Sequence, residues 1–155
     1  MIIIMVRHAE ALDKKIAVLK KIPDSARPLT KIGSQDFKVF LKGKKNLFKN
    51  TDALISSSLI RAIQTAKIIK NTYLKSMEIK KSSLITPLSK PQGLKRFIEN
   101  SNYKKLVFVS HEPFIGNFLY ELSGVQNEFF KVKKGAIIVI HYKENCYKLN
   151  LFLNP

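Results

Sequence analysis

Apolar positions along the chain follow two periods in alternation. Residues 2–6, 53–56 and 105–109 are short, mainly apolar runs, the pattern of strands buried on both faces. Between them the spacing turns helical. Thr30 can cap a helix over 31–42 that turns Phe37, Phe40 and Leu41 inward. Ser57 and Ser58 offer caps for a helix over 59–74, with an inner stripe at Ile60, Ile63, Ala66 or Lys67, and Ile69 or Lys70. Residues 77–80 read as a short strand. Pro87 and Pro91 frame a loop ahead of a helix over 92–100. Pro113 suits the first turn of a helix to Ser123, and Gly124 suits its end. Residues 9–29 read as a polar loop, with Pro23, Asp24, Ser25 and Pro28 as turn formers. Residues 135–141 and 146–153 read as a closing strand pair across Lys143-Glu144-Asn145. The expected fold is α/β, a three-layer α/β/α sandwich on a central mixed, mostly parallel sheet.

A length of 155 residues predicts a single domain over 1–155. The lone cysteine, Cys146, excludes an internal disulfide framework and an all-cysteine metal site, and fits a reducing compartment. The opening apolar run stops at Arg7-His8, too short for a secretory signal or a spanning helix. A cytoplasmic protein without a membrane segment is expected.

Charge complicates the picture. Lys plus Arg number 28 against 11 Asp plus Glu, a formal net charge of +17. Such a balance attracts polyanions. The lysines, however, are scattered as pairs and singles, Trp is absent, and no aromatic-and-basic stripe runs along the chain. Compositional bias explains the charge better than a nucleic-acid interface does. An acidic or phosphorylated partner is compatible with it. The Phe129-Phe130 pair and His141 read as packing and sheet residues. A monomer or weak dimer is expected.

Three junctions that follow strands carry unusual residues: Arg7-His8-Ala9-Glu10, Ser56-Ser57-Ser58-Leu59-Ile60-Arg61, and Ser110-His111-Glu112-Pro113. Open α/β sheets bind ligands outside the carboxyl ends of their strands. If these strands are parallel neighbours, two arginines and two histidines meet at one edge. Arginine presents a planar fork of donors that matches phosphate oxygens. Neutral histidine can be a nucleophile. Such a set suits a phosphoryl anion rather than a metal cation, so neither metal nor cofactor is expected.

Arg7-His8 after the first strand resembles the Arg-His-Gly signature of the histidine phosphatase superfamily, the phosphoglycerate-mutase-like fold. Ser57-x-x-x-Arg61-Ala62-x-Gln64-Thr65-Ala66 resembles its second motif, and Val109-Ser110-His111-Glu112-Pro113 its third. The short chain and Arg27-Pro28-Leu29-Thr30-x-x-Gly33 are similar to the compact SixA-type phosphohistidine phosphatases. The resemblance implies that His8 is the nucleophile and forms a phosphohistidine intermediate. It implies that Arg7 and Arg61 grip the phosphoryl oxygens and that His111 donates to the same group. Arg27 would reach the pocket rim.

Two departures stand out. Ala9 replaces the usual glycine, which should tighten the pocket. The stretch 84–92, between the second and third motifs, holds no carboxylate where many members carry a general acid. Glu10 is the nearest candidate acid in sequence. An alkoxide leaving group needs a proton, whereas a protonated imidazole, with a pKa of about 6.5, leaves as a neutral ring. The expected substrate is therefore phosphohistidine on a phosphorylated protein, such as a histidine phosphotransfer domain. Small phosphate esters are the alternative, and a non-catalytic phosphate- or RNA-binding module is a third.

Overall fold

The computed structural model describes residues 1–124 and 131–155, so the Phe129-Phe130 pair lies outside the described residues. Six strands form one sheet: β1 (Ile2–Arg7), β2 (Ala53–Ser56), β3 (Ile79–Lys81), β4 (Lys105–Ser110), β5 (Ile137–Lys143) and β6 (Cys146–Leu153). Their order is β3-β2-β4-β1-β5-β6. The first four run parallel, and β5 and β6 add antiparallel partners beside β1. The helices are α1 (Lys14–Leu19), α2 (Lys31–Leu41), α3 (Lys45–Phe48), α4 (Ile60–Tyr73), α5 (Pro91–Glu99) and α6 (Phe114–Ser123).

Alternation along each strand divides the core in two. Ile3, Met5, Ile55 and Phe108 face one side and pack with Leu94 and Ile98 of α5 and Phe114 and Phe118 of α6. Ile4, Val6, Leu54 and Val107 face the other and pack with Phe37 and Leu41 of α2 and Ala62, Ala66 and Ile69 of α4. Both faces of the central strands are thus covered, which is why their sequence is mainly apolar rather than alternating. The result is the expected three-layer sandwich on a mixed sheet.

The local chemistry explains most boundaries. The Thr30 hydroxyl accepts from the Gly33 amide and starts α2. Pro91 occupies the first turn of α5. Gly124 adopts a left-handed conformation at φ 68° and ends α6. Glu144 and Asn145 both have positive φ, at 52° and 60°. They form a two-residue turn whose twist matches the β5–β6 hairpin.

Two expectations need correction. The stretch 9–29 is not all loop: the Asp13 carboxylate accepts from the Lys15 and Ile16 amides and starts α1. That helix buries only Ala17, so it shows no apolar stripe in the sequence. In α4 the inner face is Ala62, Thr65, Ala66 and Ile69, not Ile60 and Ile63, and Leu59 rather than Ser57 or Ser58 is the capping position. Small residues let the helix lie close on the sheet, while Ile60 stays partly exposed.

A strap over residues 12–28 leaves the sheet and returns to it. Its neck is closed by Leu12 N–H to the Pro28 carbonyl (2.8 Å), Thr30 N–H to the Glu10 carbonyl (3.0 Å) and a bridge between Ala11 and Leu29. Gln64 of α4 anchors it by accepting from the Leu29 amide at 2.7 Å.

Candidate active site

Register brings the three junctions together. β4 lies between β1 and β2, with Arg7 opposite Ser110 and Ser56 opposite Val109. Just past the strand ends, the His8 amide donates to the Ser110 carbonyl (2.9 Å) and the Ser57 amide to the Val109 carbonyl (3.0 Å). The junctions therefore meet at one carboxyl edge of the sheet, as expected of parallel neighbours.

His8 and His111 face one another with ring centroids 4.9 Å apart. Both are buried, at 7% and 1% exposure. His8 Nδ1 lies 2.7 Å from the Ala9 carbonyl, which can only accept. The neutral ring's proton is thereby assigned to Nδ1, and Nε2 keeps its lone pair. Burial, with Arg61, Arg7 and Arg27 nearby, pushes the His8 pKa down to about 3. Desolvation first, then the neighbouring His8, Arg61 and Arg7, hold His111 far below the usual histidine range. Both rings are neutral at pH 7.

The guanidinium groups flank this pair. Arg61, on the first turn of α4, is 4% exposed. It donates from Nη1 to the Asp24 carbonyl (2.7 Å) and from Nη2 to the Asp24 carboxylate (3.1 Å). Arg7 donates from Nη1 to the Val132 carbonyl at 2.5 Å. The Nε atoms of both arginines are buried without a hydrogen-bond partner among the described residues. Unpaired buried donors are costly, and these two arginines hold donors of the kind an anion could take up.

The residues of the second motif divide the structural work. Thr65 accepts from the Ala9 amide (3.0 Å) and donates to the Arg61 carbonyl (2.7 Å), tying the His8 loop to α4. Ala9 is buried, and its side chain belongs to the core cluster that holds Phe37 and Ala62. The methyl thus adds to the packing beneath the His8 loop.

Arg27 pairs within the strap, next to the partner of Arg61. Its Nε donates to the Asp24 carboxylate (2.9 Å) and its Nη1 to the Leu12 carbonyl (2.6 Å), while its charge reaches His8. Glu10 points elsewhere: its carboxylate is half exposed and pairs with Lys134 at 3.3 Å. Asp24 is the site residue that sequence reasoning passed over. It reads as a turn former, and only the fold shows that the turn lies on Arg61. Glu112, beside Arg7, is raised above the usual carboxylate range by burial.

A model of the histidine phosphatase superfamily (branch 1) matches residues 3–82. The chain belongs to that superfamily and is a hydrolase of its class. No curated protein sequence matches it. Among solved structures, the protein histidine phosphatase SixA complexed with tungstate is 23% identical, with a TM-score of 0.80 over 99% of this chain and 96% of that one. Phosphoserine phosphatase from Entamoeba histolytica in complex with 3-phosphoglyceric acid is 20% identical, with a TM-score of 0.71 over 99% and 97%. The α-ribazole phosphatase from Shigella flexneri is 17% identical, with a TM-score of 0.69 over 98% and 96%. At these identities the likeness is one of fold. Among the described residues no helix is long and apolar enough to cross a membrane.

Proposed function

We propose that the chain is a phosphatase that works through a covalent phosphohistidine and takes its phosphoryl group from phosphohistidine on a protein. The carrying observation is the His8 ring, held neutral with Nδ1 turned to the Ala9 carbonyl and Nε2 free. His8 Nε2 attacks phosphorus in line, and the bond to the leaving nitrogen breaks with its electron pair on that nitrogen. Arg7, Arg61 and His111 stabilise the charge on the equatorial oxygens. Water then attacks phosphorus and releases phosphate from His8.

The absence of a carboxylate in 84–92 supports phosphohistidine over esters, because a protonated imidazole leaves without an external acid. Phosphate esters are the second reading, favoured by the ester phosphatases among the structural relatives. A nucleic-acid role has only the net charge of +17 behind it. The intracellular setting and the single-domain organisation over 1–155 belong to this proposal as well.

The test is metal-free dephosphorylation of a phosphohistidine-bearing phosphotransfer domain, with an aryl phosphate alongside and His8→Ala as control. His8-dependent loss from phosphohistidine, faster than from the ester, is the expected result. Turnover that persists in His8→Ala rejects the nucleophile. Steeply salt-dependent RNA binding that survives His8→Ala would favour the binding-module reading.

A further inference from the structure

Loop 84–92 lacks a carboxylate, yet one carboxylate reaches the pocket from the strap. Asp24 Oδ1 accepts from Arg27 Nε at 2.9 Å and Oδ2 from Arg61 Nη2 at 3.1 Å. Each carboxylate oxygen has about two acceptor positions, so about half the capacity of Asp24 stays open. The Asp24 side chain is 49% exposed, whereas His8 is 7% exposed. Asp24 is thus the solvent-facing group of the cluster and His8 a buried one. In-line attack by a buried ring sends the leaving atom away from that ring, and a leaving group carried on a protein has to lie on the solvent side. Besides Arg27 and Arg61, His111 feels this carboxylate. The two guanidiniums hold Asp24 below the usual carboxylate range. It is ionised at neutral pH, an acceptor and not an acid.

We propose that Asp24 is a specificity-determining residue: its carboxylate accepts a hydrogen bond from the ring N–H of a phosphohistidine leaving group and so favours that group over phosphate esters. The proposal rests on the phosphohistidine reading above. The ring nitrogen not bonded to phosphorus carries a proton and keeps it throughout. As the P–N bond breaks, the electron pair passes to the other nitrogen and a neutral imidazole departs. A carboxylate at that N–H orients the ring and sustains its protonated, labile form to higher pH. The leaving oxygen of an ester has no such proton to offer, and an ester bearing its own carboxylate meets like charge.

The test compares kcat/KM for a phosphohistidine-bearing phosphotransfer domain and for p-nitrophenyl phosphate in wild type, Asp24→Asn and Asp24→Glu. Asparagine keeps the main-chain carbonyl that holds Arg61, so any disturbance of Arg61 lowers both substrates together. The ratio of phosphohistidine to ester activity should fall roughly ten-fold or more in Asp24→Asn, the weight of one charge-assisted hydrogen bond. The alkaline limb of the phosphohistidine profile should also move to lower pH, and Asp24→Glu should restore it in part. An unchanged ratio with an unmoved limb overturns the proposal and leaves the phosphohistidine reading standing. A wild type that cleaves the ester through His8 and leaves phosphohistidine intact overturns that reading, and this proposal with it.

Discussion

The Ser57 hydroxyl lies 2.5 Å from Nε2 of His111, in a buried contact. Ser57 Oγ also accepts from the Leu59 amide at 3.4 Å, and its own hydrogen is free to turn to His111. In that orientation the neutral His111 ring carries its proton on Nδ1, a buried atom with no hydrogen-bond partner among the described residues. With its hydrogen on Nε2, Ser57 would set the tautomer in which His111 donates from Nδ1. Ser57→Ala frees the ring to take the other tautomer and should lower kcat on phosphohistidine by about ten-fold or more, with KM changed less. A parallel rise in KM alone would assign Ser57 to binding instead.

Arg61 is the next point of failure. Its fork spans the carbonyl and carboxylate of Asp24 and keeps Nε in reserve. Lysine has one donor centre and cannot hold Asp24 twice while facing an anion. Arg61→Lys should cost about a hundred-fold in kcat/KM. Near-normal turnover would remove Arg61 from the phosphoryl grip.

Acid should destabilise the fold through its histidines. In the unfolded chain each ring takes a proton near pH 6.5, but folded His8 resists until about 3. Between those values the unfolded state holds more protons, so stability falls as pH drops. Each ring contributes at most about 1.4 kcal/mol per pH unit. His8→Asn should therefore flatten the dependence of unfolding free energy on pH between about 6 and 4.5. Equal slopes would show that His8 titrates normally in the folded protein.

Glu10 supplies a contrast. Its carboxylate pairs with Lys134 on a half-exposed surface, and such pairs are worth about 0–1 kcal/mol. Glu10→Gln should alter ester turnover by less than about three-fold, read from kcat on an aryl phosphate. A large fall in kcat would establish Glu10 as the acid for esters.

Much of the site was legible because its residues sit where strands end. Arg7, His8, Arg61 and His111 each follow a buried apolar run, and a parallel sheet makes such positions neighbours. Asp24 was not legible, since nothing local distinguishes a turn aspartate that caps nothing from one lying on Arg61. The α4 stripe was misread for a related reason. Small residues such as Ala62 and Ala66 carry the close approach to the sheet, and they register weakly beside isoleucine. Helix α1 depends on one capping residue, Asp13, rather than on a buried face.

The narrow neck of the strap bears on how this protein could change over generations. Asp24, the partner of Arg61, and Arg27 sit on a segment whose helix buries only Ala17 and leaves Val18 and Leu19 largely in solvent. Insertions, deletions and substitutions there touch little of the sheet's core. His8, Arg7 and Arg61 can stay unaltered while the strap drifts. New leaving groups are then open to natural selection at small risk to folding.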